Sequence, residues 1–464
     1  MKPAKHAIAR PLWGRAMACF ADPKWALRTP TIHYHYLLSL QFPLVTTPPL
    51  LLPRRAVDDL HTLRELTANE AGAQRVAWTP TWARAREWYR SRLAELPVSV
   101  ETDEAGNIWA TLPGTRPETL VMGSHLDSVP NGGWLDGCFG VIGGLEVLRR
   151  FAAQGTPPVT VQLVDWADEE GARFGRSLFG SSAVAGRLNR EWVDRLVDVD
   201  GVRLPDAVRA FGVDTATAEQ AGRRIQNARA YLEMHIEQGP VLEAAGLTLG
   251  AVIGCFGIER HALTFTGQAA HAGATPMPLR HDAFVAAARF AVDVREIGRN
   301  SLGGVCTTGR VQNTPGIPTA VAGETRITLD QRHIDADRLA DMLAQAHAAA
   351  DRIAAEEGVS VAWSTIYRSP VQPFHPDLID RCDAAIREVN AGVSHRMPSG
   401  PGHDAIEMAW AGIPTVMLFV QSLRGLSHCK EEDTRIEHLE LAVRTFDRLA
   451  DKAVEWIVKS DSSG

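Results

Sequence analysis

The chain has 464 residues, 45% of them hydrophobic and 22% charged, which are ordinary globular proportions and exclude wholesale disorder. At roughly 150 residues per domain it holds about three domain-sized units or two unequal ones, enough to build a core without a disulfide or a structural metal. Lys and Arg number 48 against 55 Asp and Glu, a net charge of −7, so the basic footprint of a nucleic-acid binder is excluded.

Residues 1–55 read as a loosely ordered extension. Their apolar stretch, residues 37–52, is interrupted by Pro43, Pro48 and Pro49 and falls short of the ~20 residues of a membrane helix, so no membrane span is expected. The cysteines (Cys19, Cys138, Cys255, Cys306, Cys382 and Cys429) are scattered with no CxxC pair. That pattern suits reduced thiols and a cytoplasmic location. Residues 57–96 read as two amphipathic helices, followed by strands at 98–101 and 108–111 around the turn at 103–107. Short apolar runs at 120–122, 159–164, 231–235 and 415–420 read as buried strands, with helices over 139–154 and 432–458. Strands alternating with helices predict an α/β layer architecture.

One central stretch differs. Strand 261–266, helix 281–299, strands 305–311 and 323–332, helix 335–357 and strand 360–367 spell β-α-β-β-α-β, the ferredoxin-like order. The expected organisation is therefore a catalytic α/β domain formed by residues 56–256 and 371–464, interrupted by an inserted ferredoxin-like domain at 257–370. Gly254, Gly257 and Pro370 lie at the junctions, where a hinge is expected.

The informative polar residues follow the predicted strands, and in open α/β sheets ligands bind beyond the carboxyl ends of strands. The first run leads into Gly-Ser-His125-Leu-Asp127 and then Gly132-Gly133-Trp-Leu-Asp136. The second leads into Asp168-Glu169-Glu170, the third into His235-Ile-Glu237-Gln238, and the last into Ser427-His428. Imidazoles mixed with carboxylates suit Zn²⁺ or Mn²⁺, with Co²⁺ and Ni²⁺ chemically admissible. A carboxylate spanning two ions makes a paired centre that polarises a carbonyl and generates hydroxide. Asp127, two residues beyond His125, is expected to hold the second nitrogen of that imidazole. In the Glu169-Glu170 pair, one glutamate on a metal leaves its neighbour free to shuttle protons.

The stretches GSHLDSVPNGGWLDGCFGV, DEEGARFGRSLFGSSAVAG, EMHIEQGPVLE, GQAAHAGATPMPLRHDA, SGPGHDA and GLSHCKEE resemble the hydantoinase/carbamoylase family of amidohydrolases. That family includes N-carbamoyl-L-amino-acid hydrolases, β-ureidopropionases and allantoate amidohydrolases, and shares its fold with binuclear metallo-exopeptidases. The resemblance covers residues 57–460. It implies two divalent ions, one on His125, Asp136 and His235 and the other on Asp136, Glu170 and His428, with Asp136 bridging. It makes Glu169 the general base that takes a proton from the attacking water. His271, in the HAGATP loop of the inserted domain, becomes the oxyanion-stabilising imidazole.

The same resemblance names Gln238, Asn313, Arg326 and Gly402 as substrate contacts. Arg326 offers a planar fork for a carboxylate, Asn313 and Gln238 offer amides, and Gly402, opening a helix, offers a backbone N–H. Blander readings stand beside these: Arg326 alternates in a strand like a solvated face residue, and Asn313 before Thr-Pro suits a turn. The implied substrate is a small ureido acid, an N-carbamoyl-L-amino acid or N-carbamoyl-β-alanine, with allantoate the main rival and a dipeptide or N-acyl-amino acid less favoured. A non-catalytic metal-binding scaffold is disfavoured by the intact set of ligands. A homodimer is implied, with the inserted domain as lid and dimerisation surface and His271 reaching a partner's cleft. Pro401 departs from the small residue common at that position in the family.

Overall fold

The computed structural model of the protein describes residues 50–460, so the expected extension lies almost wholly outside the described residues. Its boundary moves, because a helix already begins at Pro53 and runs to Thr67. Proline suits a first helical turn, where its missing N–H costs nothing. The Leu52 N–H and the Arg55 guanidinium both donate to buried Glu146 on the Cys138–Gln154 helix, at 2.6 and 2.7 Å. The second predicted helix is Pro80–Leu93, with the Thr79 hydroxyl accepting from the Trp82 N–H.

Four parallel strands form the centre of a nine-stranded sheet among the described residues: β1 (Thr119–His125), β2 (Thr160–Trp166), β3 (Ala228–Ile236) and β4 (Thr415–Val420), in the spatial order β4-β3-β1-β2. Every residue of β1 and β4 is buried, as expected of parallel strands covered by helices on both faces. Because the strands are parallel, their carboxyl ends share one edge, and that edge carries the site. Antiparallel strands flank them, Ile108–Leu112 and Ser99–Thr102 on one side and Leu249–Cys255 on the other. The last of these was not anticipated: its residues, Leu-Gly-Ala-Val-Ile-Gly-Cys, are broken by glycines that weaken a strand signal.

Residues 257–369 build a second, antiparallel sheet of strands Gly257–Thr266, Val305–Thr307, Val311–Thr314, Glu324–His333 and Ser360–Ser369. The expected single strand 305–311 is two short edge pieces. Both pair with Glu324–His333, and the break is bridged by Thr328, whose N–H donates to the Arg310 carbonyl at 3.0 Å. Helices Ala283–Asn300 and Ala336–Glu357 cover one face, capped by Asp282 and Asp335. Leu263, Phe265, Phe290, Ile327, Met342 and Ile353 form a core separate from that of the larger sheet. Burying each such side chain contributes about 1.5–3 kcal/mol, so this unit has its own source of stability.

Candidate metal centre

β1 ends on His125, 1% exposed, directly beside Trp166 at the end of β2. The chain then turns through Leu126, whose N–H donates to buried Asp165 at 2.9 Å, itself paired with Arg86 at 2.7 Å. The turn closes at Gly137, with φ +64°, where a Cβ would fall 2.3 Å from the His125 ring. Glycine is therefore required, and it brings Asp136 against the imidazole. β2 delivers Glu169 and Glu170, β3 delivers His235, and the loop after β4 delivers His428.

These residues converge. The Nε2 atoms of His125 and His235 lie 3.8 and 3.1 Å from Asp136 Oδ1. His428 Nε2 lies 3.3 Å from Asp136 Oδ2 and 3.3 Å from Glu170 Oε2. Ligand atoms of His125, Asp136 and His235 lie within 4.8 Å of one another, and so do those of Asp136, Glu170 and His428. Asp136 belongs to both groups and turns one oxygen toward each. The histidine tautomers agree with ligation: Nδ1 of His235 lies 2.9 Å from the Ile236 carbonyl and Nδ1 of His125 lies 3.2 Å from the Asp127 carbonyl. Each Nδ1 therefore carries the proton and leaves the Nε2 lone pair facing Asp136.

Glu169, 8% exposed, places Oε2 3.6 Å from His125 Nε2. Asp127 stands beside the second nitrogen of His125, its carbonyl 3.2 Å and its carboxylate 3.6 Å from Nδ1. Its two carboxylate oxygens also accept the N–H groups of Glu169 and Glu170 at 3.2 and 3.1 Å. Asp127 thus fixes the turn that presents both glutamates. Gln238 donates its amide to Asp136 Oδ2 at 2.8 Å, so it sits within the cluster itself.

The remaining predicted contacts lie elsewhere. His271 is exposed, and its Nδ1 accepts N–H groups from Gly273 and Ala274, both at 3.1 Å. The ring proton therefore sits on Nε2, the tautomer an oxyanion needs. Arg280 braces that loop through the Ala272 and Thr275 carbonyls. Asn313 and Arg326 are exposed on the second sheet. Asn313 occupies a strand rather than a turn, and its Oδ1 accepts from the Thr325 hydroxyl at 2.9 Å. Gly402 does not open a helix: His403 is the N-cap and the helix runs Asp404–Trp410. Arg332 donates to the Gly400 carbonyl at 3.0 Å, tying the second sheet to that loop.

Sequence reasoning assigned no part in the site chemistry to four buried residues. Glu233 accepts from Ser124, Tyr231 and the Ala405 N–H beneath His235. His403 packs edge-on against His235 with ring centroids 4.5 Å apart. Asp404 is fully buried. Glu432 accepts the N–H groups of Leu135 and Asp136, both at 3.0 Å. Glu432 stood within a motif already singled out, but nothing in its spacing signalled a partner some 300 residues away.

The electrostatics show what the cluster is suited to hold. Burial, then the neighbouring Asp404 and Glu170, push Glu169 well above the usual carboxylate range. Burial, then Asp136 and Asp127, do the same to Glu170. Burial also raises Asp136, but the His235 and His428 imidazoles beside it, in their doubly protonated form, outweigh burial and hold it well below that range. Buried carboxylates crowded this closely require compensating positive charge. Two divalent cations, one for each donor group, fit both the charge and the imidazole–carboxylate chemistry.

Residues 121–452 match the model of peptidase family M20/M25/M40. The chain is 35% identical over 396 residues to an N-carbamoyl-L-amino-acid amidohydrolase of Paenarthrobacter aurescens, spanning 83% of this chain and 94% of that one. It is 33% identical over 403 residues to an allantoate amidohydrolase of Escherichia coli (strain K12), spanning 85% and 96%. The crystal structure of a hydantoinase/carbamoylase family amidase from Burkholderia multivorans superposes with a TM-score of 0.79 at 32% identity, covering 86% of this chain and 97% of that one. The chain therefore belongs to peptidase family M20/M25/M40, in its hydantoinase/carbamoylase group, and is a hydrolase of carbon–nitrogen bonds other than peptide bonds.

Proposed function

We propose that the protein hydrolyses the ureido group of an N-carbamoyl-L-amino acid or N-carbamoyl-β-alanine, consuming one water and releasing the amino acid, ammonia and carbon dioxide. The observation that carries this reading is the sharing of Asp136 between two imidazole-containing donor groups, with Glu169 beside them. His125, Asp136 and His235 would hold one ion, and Asp136, Glu170 and His428 the other. Zinc and manganese suit the donors best. When bound, such a pair polarises the ureido carbonyl and acidifies water.

The chain's own groups supply the rest. Glu169 Oε2 takes a proton from the attacking water and returns it to the departing nitrogen, a role worth about 10²–10⁴-fold. Asp127 holds the main chain of that glutamate still. The Nε2–H of His271 donates to the oxyanion as the carbonyl carbon becomes tetrahedral. Arg326 grips the substrate carboxylate, Asn313 and Gln238 bond carboxylate or ureido oxygen, and the Gly402 N–H faces the same anion. Closure of the second sheet as a lid, or a second copy of the chain in a homodimer, brings His271 and Arg326 to the ions.

The test is a substrate panel on protein reconstituted with zinc or manganese and scored by ammonia release. N-carbamoyl-L-amino acids and N-carbamoyl-β-alanine are expected to turn over. Activity confined to allantoate would transfer the assignment to that acid, and peptide cleavage without ammonia release would reject ureido chemistry.

A further inference from the structure

His428 is the ligand least secured by its surroundings. Its side chain is 51% exposed, whereas those of His125 and His235 are 2% and 1% exposed. It also sits in a loop at φ +57°, a conformation that costs a residue with a side chain free energy unless contacts enforce it. One residue ties this loop to the rest of the cluster. Glu432, 2% exposed, accepts the main-chain N–H groups of Leu135 and Asp136 on Oε1, both at 3.0 Å, while Oε2 lies 2.8 Å from the Ser427 hydroxyl. That hydroxyl, on the residue before His428, also lies 2.9 Å from Asp136 Oδ2. A single side chain therefore fixes the backbone of the shared ligand with one oxygen and the neighbour of the exposed ligand with the other.

The local sequence makes room for this. A Cβ on Gly133 would fall 2.0 Å from both the Cδ and the Oε1 of Glu432, so the second glycine of Asn131-Gly132-Gly133 is required by the carboxylate and not only by the turn. The paths around the two donor groups differ accordingly. His125 and His235 extend from strands paired along their length, and their positions do not depend on Glu432. The position of His428 relative to Asp136 does.

We propose that Glu432 is a positioning residue that clamps the His428 loop onto the Asp136 loop and so completes the second donor group, Asp136, Glu170 and His428, selectively. The inference rests on the two-ion reading above and extends it. Outer carboxylates that orient ligands typically affect metal affinity by about 10- to 100-fold, and here the effect falls on one ion of the pair.

The test uses the full chain stripped with a chelator and titrated with zinc alone, the two binding steps being resolved separately. Wild type is expected to take two ions; fewer would sink the two-ion reading itself, whatever Glu432 does. Glu432→Ala is expected to weaken the second step about 10- to 100-fold and the first, which shares only Asp136 with it, by much less. Its kcat should fall more than its KM changes. Glu432→Gln keeps an acceptor for both N–H groups and is expected to restore most of the second step. Equal weakening of both steps in the alanine variant, wild-type affinity at both, or no rescue by glutamine would each overturn the proposal. Should Glu432→Ala fail to fold, Gly133→Ala, which crowds the same carboxylate, decides by the same selective loss or its absence.

Discussion

The ends of β1, β2 and β3 and the open face of the second sheet are built on opposite principles. At the strand ends, ligands are buried and held by carboxylates and main-chain groups that leave them little freedom: Asp127 holds two backbone N–H groups, Glu432 two more, and Gly137 lies against an imidazole. Arg326 stands exposed on the second sheet and His271 on a separate two-stranded ribbon with Ala320, where its ring accepts from the main chain of its own loop. Groups that hold ions must be in place before substrate arrives, because a misplaced buried charge is costly. Groups that grip a substrate carboxylate can wait in water, where an unpaired guanidinium costs little.

The shared ligand Asp136 separates the two regions most strongly. Asp136→Asn removes the charge both donor groups use, so bound metal is expected to fall from two ions to fewer than one per chain and activity to background. Metal analysis after gel filtration, beside an activity assay, reads both. Retention of two ions would mean the groups do not share a carboxylate. Next in size is Glu169→Gln, which removes the proton acceptor and leaves every proposed ligand. It should keep both ions while kcat falls about 10²–10⁴-fold, and wild-type turnover would remove Glu169 from the mechanism.

A smaller effect is expected across the comparison, on the second sheet. Arg326→Lys keeps the charge but loses the planar fork, and charge-assisted bonds of that kind are worth about 1.5–3 kcal/mol. The ureido-acid kcat/KM should fall roughly 10- to 150-fold, mainly through KM, with metal content unchanged. Loss of metal in this variant would show that the two regions are not independent.

The two regions also differed in how far they could be read from the sequence. The strand-end residues were legible because buried parallel strands leave continuous apolar runs, and a Gly, His, Asp or Glu cluster after such a run has few structural reasons to exist. The β-α-β-β-α-β pattern was legible because both long helices carry aspartate caps and apolar stripes. What failed was direction and contact. Nothing in His-Leu-Asp says that Asp127, beside His125, also holds the main chain of the next loop. Nothing local in Cys-Lys-Glu-Glu says that the last glutamate reaches Asp136, since that contact exists only once β4 lies beside β3. The Leu249–Cys255 strand was hidden by its glycines, and the helix start after Gly402 shifted because His403, not glycine, takes the cap position.

The smallest effect concerns whether the strand-end region bears the cost of buried acids even where no ligand is involved. Glu407, on the short Asp404–Trp410 helix, is 3% exposed. Burial raises it to about 7 although Arg187, 3.2 Å away, and Arg176 pull it down. Because the folded state holds this proton more tightly than the unfolded chain, the group costs no stability below its ordinary value near 4.5. Stability is then lost as pH rises toward 7, and the penalty is complete above it. Glu407→Gln removes the charge and so the penalty, on the order of 3 kcal/mol. The apparent Tm of the variant should match wild type near pH 4.5, exceed it by a margin that grows up to pH 7, and hold that margin at pH 8. A margin that is flat across this range, or that shrinks with rising pH, would mean that Arg187 compensates the buried carboxylate fully. The strand-end region would then bear a charge cost only at its ligands.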